Sequence, residues 1–207
     1  MHTYFDVPDF FTGFPVGMTA EETYAYAHTY IDSLKPEGEE AEQRILREIR
    51  GLSEILMQTG ALYAGAAVQV IGNEPSLATL TVTVQGFRYG DDARIAAEGA
   101  MHSLIAARGR EWTGQVRDLP CGPAAIVTGT RAHRVPADET TQLPVAELQA
   151  FVPVPEHQTL PQQCMLTVTF TTPSIRHWQA YMPSVVRLLR SITFTTTASE
   201  ERPHALS

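Results

Sequence analysis

The run LTVTFTTPSIRHWQAYMPSVVRLLRSITF, Leu166 to Phe194, carries a strand, a break, a helix and a second strand in sequence. From Cys164 to Thr171 the residues alternate. Cys164, Leu166, Val168 and Phe170 fall on one face, and Met165, Thr167, Thr169 and Thr171 on the other. Period two with β-branched residues predicts a half-buried strand. Thr172-Pro173 ends it, because proline has no N–H to give to a ladder. After the break, Ser174 is placed to cap the helix, or Pro173 to stand in its first turn. Trp178, Tyr181, Val185, Leu188, Leu189 and Ile192 then recur at three- and four-residue spacing, one apolar stripe of that helix. Arg176, His177, Gln179, Ser184, Arg187 and Arg190 make its charged and polar face, with two arginines in the last turn, where cations suit the helix dipole. Pro183 predicts a kink, or a fresh start after Met182. Ile192 and Phe194 alternate with Thr193 and Thr195 in a closing strand.

The same grammar extends upstream. Residues 1–18 are aromatic and proline-bearing, and read as an irregular extended arm packed through Phe10, Phe11 and Phe14. Thr19-Ala-Glu-Glu22 is a capping box that opens a helix to Leu34. Lys35-Pro36-Glu37-Gly38 breaks it. A second helix is expected from Glu39 to Thr59 on a stripe of Ile45, Ile49, Leu52, Ile55 and Leu56, with Gly60 at its end. Ala61 to Ile71 and Leu77 to Gln85 read as strands of a hairpin turning at residues 72–76. Asp91 or Asp92 caps a third helix to Arg108. Strands are expected at 112–118, 122–133 and 145–154, with a polar loop at 136–143, and 198–207 reads as a disordered tail.

Short connections between these strands imply an antiparallel pairing. The predicted fold is α+β: a mostly antiparallel sheet of about six or seven strands flanked by helices, in one domain over 1–197. Threonines at 79, 81, 83, 167, 169, 193 and 195 line one side of that sheet. Whether helices cover them decides between a contact surface and the less apolar half of a sandwich.

Composition narrows the function classes. A net charge of −8 and a single lysine, Lys35, speak against nucleic acid or an anionic membrane as partner. No apolar run approaches the roughly 20 residues needed to cross a bilayer. The first residues have no basic stretch followed by an apolar core, so no signal peptide is read there and a cytoplasmic location is expected.

Chemistry is harder to find. No two of the seven histidines share i, i+4 spacing, and neither H-E-x-x-H nor C-x-x-C occurs, so no metal or other cofactor is expected. Cys121, in a Leu-Pro-Cys-Gly-Pro turn, is a conceivable nucleophile with His133 or His157 as base. A small residue in a hairpin turn is the plainer reading, and Cys164 reads as a core thiol. Gly60 to Gly65 has the glycine spacing of a phosphate loop but lacks its Lys-Ser/Thr and precedes a strand.

The arm Val7-Pro-Asp-Phe10 to Phe14-Pro-Val16, Gly60-Ala-Leu-Tyr-Ala64, the Thr81–Val84 strand and the closing Phe170-Thr-Thr-Pro173, helix, Ser191-Ile-Thr-Phe194 are similar to uncharacterised actinobacterial proteins. The closing unit also resembles PsbP-like and LpqN-type proteins, which share an α/β/α sandwich around an antiparallel sheet. The resemblance implies a binding or accessory module and supplies no catalytic residue. The export of LpqN-type lipoproteins is not implied, since neither a signal peptide nor a lipid-accepting cysteine is read at this N-terminus.

The leading expectation is a non-enzymatic protein-binding or accessory module that meets a protein partner or a second copy. Arg176, His177, Arg187, Arg190, Thr81, Thr167 and Thr169 are its candidate surface. The alternatives are an enzyme or small-ligand carrier with a pocket between sheet and helices, using residues such as His102, Tyr63 or Cys121, and an immunity-type protein that blocks a toxin through its acidic surface.

Overall fold

A computed structural model describes residues 2–34, 38–135, 138–155 and 162–195. The fold is α+β, four helices and nine strands among the described residues. Strand β1 (His2–Tyr4) and strand β2 (Thr12–Gly13) lie in the arm. Helices α1 (Ala20–Leu34) and α2 (Glu39–Gln58) follow, then strands β3 (Ala61–Ile71) and β4 (Glu74–Gly86). Helix α3 (Ala93–Arg108) leads to β5 (Thr113–Leu119), β6 (Gly122–Val135), β7 (Asp138–Val154) and β8 (Cys164–Thr172). A 3-10 turn at Ile175–His177, helix α4 (Trp178–Ser191) and β9 (Thr193–Thr195) end the described chain.

Seven strands form one antiparallel sheet in the order β2-β3-β4-β8-β7-β6-β5. The decisive pairing is β4 with β8, joining segments far apart in sequence with Leu80 opposite Phe170 and Val82 opposite Val168. On the other flank of β8, Leu148 and Ala150 of β7 continue the same two rows. The stripe of α4 closes over them. Tyr181, Val185, Leu188, Leu189 and Ile192 are buried with Leu80, Val82, Val168 and Phe170 in one core. Burying an aliphatic or aromatic side chain contributes roughly 1.5–3 kcal/mol, so this layer is the main source of stability. Helix α3 packs against β5, β6 and β7. Its Met101 and Ile105 lie over Gly114, which places it on the opposite face of the sheet from α4.

Four expectations change in detail. The arm is not irregular throughout: β1 pairs with β9 and β2 with β3, because extended backbone beside a sheet edge satisfies its N–H and C=O groups there. The hairpin turn is only Gly72-Asn73, both with positive φ (57° and 66°), as a type I′ turn demands, so Glu74, Pro75 and Ser76 are already strand. Most of the polar stretch 136–143 is strand as well, with Leu143 opposite His133 and Gln142 opposite Arg134. The register of a long hairpin overrides its polar composition, though residues 136 and 137 lie outside the described residues. In the closing segment Ser174 does not cap the helix. Its Oγ accepts instead from the Leu77 N–H at 3.1 Å, and α4 runs through Pro183 without restarting. Pro183 leaves the Gln179 carbonyl without its helical donor, and both residues lie on the exposed side of α4. Lys35 and the tail from residue 198 also lie outside the described residues.

Candidate functional site

The sheet separates the surface residues that sequence placed together. Thr81 stands opposite Thr169 and Thr83 opposite Thr167, on the face turned away from α4, whereas Arg187 and Arg190 project from α4 itself. The threonine face is covered unevenly. Ala64 is buried, Thr81, Thr83, Thr167 and Thr169 are half-buried, and Thr79 is exposed while its hydroxyl bonds that of Thr171 at 2.6 Å. Exposure peaks at the hairpin end, where Val68 is 77% and Val70 72% exposed beside Leu77. Along β3 the outer edge pairs with β2 only at Gly65 and Ala66, so Ala67 to Ile71 has no strand beside it among the described residues.

The expected basic strip is interrupted. His177 is buried rather than solvated, because it falls in the 3-10 turn before α4 and not on the helix's outer face. Its Nε2 lies 3.6 Å from Glu74 Oε2, and its Nδ1 is buried without a partner among the described residues. Arg176 donates to both Glu74 oxygens at 2.8 and 2.6 Å, so its charge is already matched.

A polar cluster that the sequence reading missed lies beneath the end of α3. Glu147 is 1% exposed in the middle of β7. Arg131 Nε donates to Oε2 at 2.5 Å, Gln149 Nε2 to Oε1 at 2.6 Å, and Arg108 Nη2 stands 3.9 Å from Oε1. The Arg108 guanidinium lies 5.4 Å from the centre of the Trp112 ring, which covers Gly129. An isolated carboxylate here would cost several kcal/mol to desolvate, and the hydrogen bonds offset that. The signal for it was a lone acidic residue inside the apolar strand Val145 to Val154.

A second feature lies between α1 and α2. These helices enclose a groove of about 680 Å³. Met18, Tyr24, Leu46 and Met57 line its walls, Thr23 and Ser53 lie within it, and Glu21, Arg47, Arg50 and Glu54 border it. The expected stripe of α2 is only partly used. Leu56 is buried but Leu52 and Ile55 are exposed, because α2 meets α1 along one narrow seam. Between the sheet and α4, one part of the region where a ligand pocket between sheet and helices is the alternative, core side chains pack together.

Nucleophilic chemistry finds no constellation among the described groups. Cys121 sits beside one end of β6 and His133 near the other, roughly 40 Å apart at about 3.3 Å per strand residue. The thiol is half-buried and burial pushes its pKa up, away from the reactive thiolate. His157 lies outside the described residues. Tyr63 is held in its neutral form: burial raises its phenol to about 12, and its hydroxyl has no hydrogen-bond partner among the described residues. His102 is exposed on α3. No group of three or more His, Cys, Asp or Glu side chains that could hold a metal occurs among the described residues. No helix there is long and apolar enough to cross a membrane.

No protein-family profile, curated protein or solved structure matches this chain.

Proposed function

We propose that the protein is a non-enzymatic protein-binding or accessory module that acts in the cytoplasm. Its contact surface is the outer edge of β3 with the neighbouring part of the threonine face. One observation carries the reading: the edge from Ala67 to Ile71 is unpaired among the described residues and bears two of the most exposed apolar side chains of the chain, Val68 and Val70. An open edge with unpaired N–H and C=O groups is a template for strand addition, and natural sheets otherwise blunt such edges with charge or proline. Gln69 between the two valines is neutral, so nothing in that edge repels an incoming strand. The resemblance to PsbP-like and LpqN-type modules, itself a proposal, points to the same class of role.

The test is sedimentation velocity of the full chain, alone and with purified candidate partners, beside Val70→Lys. A complex or dimer that Val70→Lys weakens at least tenfold, with the circular dichroism unchanged, supports the reading. A strict monomer that engages no partner counts against it.

A further inference from the structure

We propose that the α1–α2 groove binds a small neutral amphiphile: an aliphatic chain of medium length bearing one hydroxyl or carbonyl group. The volume of about 680 Å³ falls within the roughly 300–1,000 Å³ typical of ligand pockets. Met18, Leu46 and Met57 are unbranched or flexible side chains that adapt to an alkyl chain. Thr23 and Ser53 supply the polar handle. They are only 9% and 5% exposed, both line the groove, and neither hydroxyl makes a hydrogen bond among the described residues. Neither oxygen is among the fully buried atoms that lack a partner, so both keep some contact with water inside the groove, and a ligand hydroxyl or carbonyl can take that water's place. That argues against a partner helix as occupant, whose apolar anchors would seal both hydroxyls off unpaired. The rim argues for a neutral head. Glu21 and Glu54 balance Arg47 and Arg50, Arg50 is bound to Glu54 at 3.0 Å, and Arg47 donates to the Gln43 carbonyl.

The experiment tracks the methionine methyl groups of the full chain by NMR while octan-1-ol is added, with octanoate and an amphipathic helical peptide in separate arms. Met18 and Met57 report on the groove, and Met101, Met165 and Met182, none of which lines it, serve as controls. Saturable shifts at Met18 and Met57 alone are expected. A Thr23→Val, Ser53→Ala double variant should weaken octanol binding roughly five- to tenfold, the worth of a hydrogen bond or two. Thr23→Ser, which keeps a hydroxyl, should bind as the natural chain does, so the proposal stays testable should the double variant fail to fold. Absence of a saturable shift, tighter binding of octanoate or of the peptide than of octanol, or undiminished affinity in a folded double variant would each overturn it.

Discussion

Single buried polar atoms have opposite consequences in this molecule according to whether they have partners. The Tyr63 hydroxyl has none among the described residues, and its ring lies against Gly65 and Gly13, where a larger residue would meet it. Tyr63→Phe removes a dehydrated group and loses no bond. It is expected to leave stability unchanged or raise it by about 1 kcal/mol, read as the urea midpoint. Glu147 has several partners, and the two ways of breaking its main ion pair differ. Arg131→Ala leaves a charge on a side chain that is 2% exposed, whereas Glu147→Leu leaves Arg131 and Arg108 a third or more exposed and able to reach water. Arg131→Ala should therefore cost the more, about 3 kcal/mol against about 1, the first approaching the penalty for an uncompensated buried charge. Chemical denaturation of the two variants checks the order, and the reverse order would mean that Glu147 is hydrated in solution.

At the scale of elements, the start signals of α1 and α3 acted as local chemistry requires, whereas that of the closing helix did not. Thr19 and Glu22 close the capping box of α1 in both directions: the Thr19 N–H donates to Glu22 at 2.8 Å and the Glu22 N–H to Thr19 Oγ1 at 3.2 Å. The backbone bond first, and then the hydroxyl bond from Thr19, hold the Glu22 carboxyl below its ordinary value. A depressed folded value means that this cap stabilises α1 fully above the unfolded value near 4.5, and that the contribution is lost as pH falls through the folded value. An NMR titration of Glu22 should thus show a midpoint below 4.5, returning toward it in Thr19→Ala. Asp92 likewise accepts from the Arg94 and Ile95 N–H groups at 2.8 and 3.1 Å to start α3. The end of α3 rests on a contact that no local signal announces. Gly129 has no side chain, so Trp112 lies flat over β6 and carries Arg108. Gly129→Ala would drive a methyl group into that ring. It should cost about 2 kcal/mol by overpacking and loosen α3 first, seen as faster amide exchange at its last turn.

At the scale of the whole molecule, charge opposes self-association. Each copy carries −8. If two copies join along β3, their repulsion is screened over about 8 Å at physiological salt, and the dimer should tighten as salt rises. A partner basic enough to be steered by this charge would show the opposite trend, so sedimentation at two ionic strengths separates the two cases.

The helices and most of the strands could be read from residue order alone, because alternation, capping boxes and apolar stripes are properties of neighbours within about five positions. The burial of Phe170 and Tyr181 was legible for the same reason. The site was far less so. That Val68 and Val70 lie on an edge unpaired among the described residues depends on β2 being two residues long, and that Glu147 meets Arg108 and Arg131 depends on α3 crossing above β7. His177 turned inward because the chain tightened into a 3-10 turn before the helix began. Sequence by itself determined most of the elements, the caps of α1 and α3 and the apolar stripe of α4, since these rest on backbone stereochemistry and local periodicity. Tertiary structure alone decided which edges stayed open and which polar groups were brought together or left alone, since those outcomes belong to segments tens of residues apart that meet only when the sheet closes.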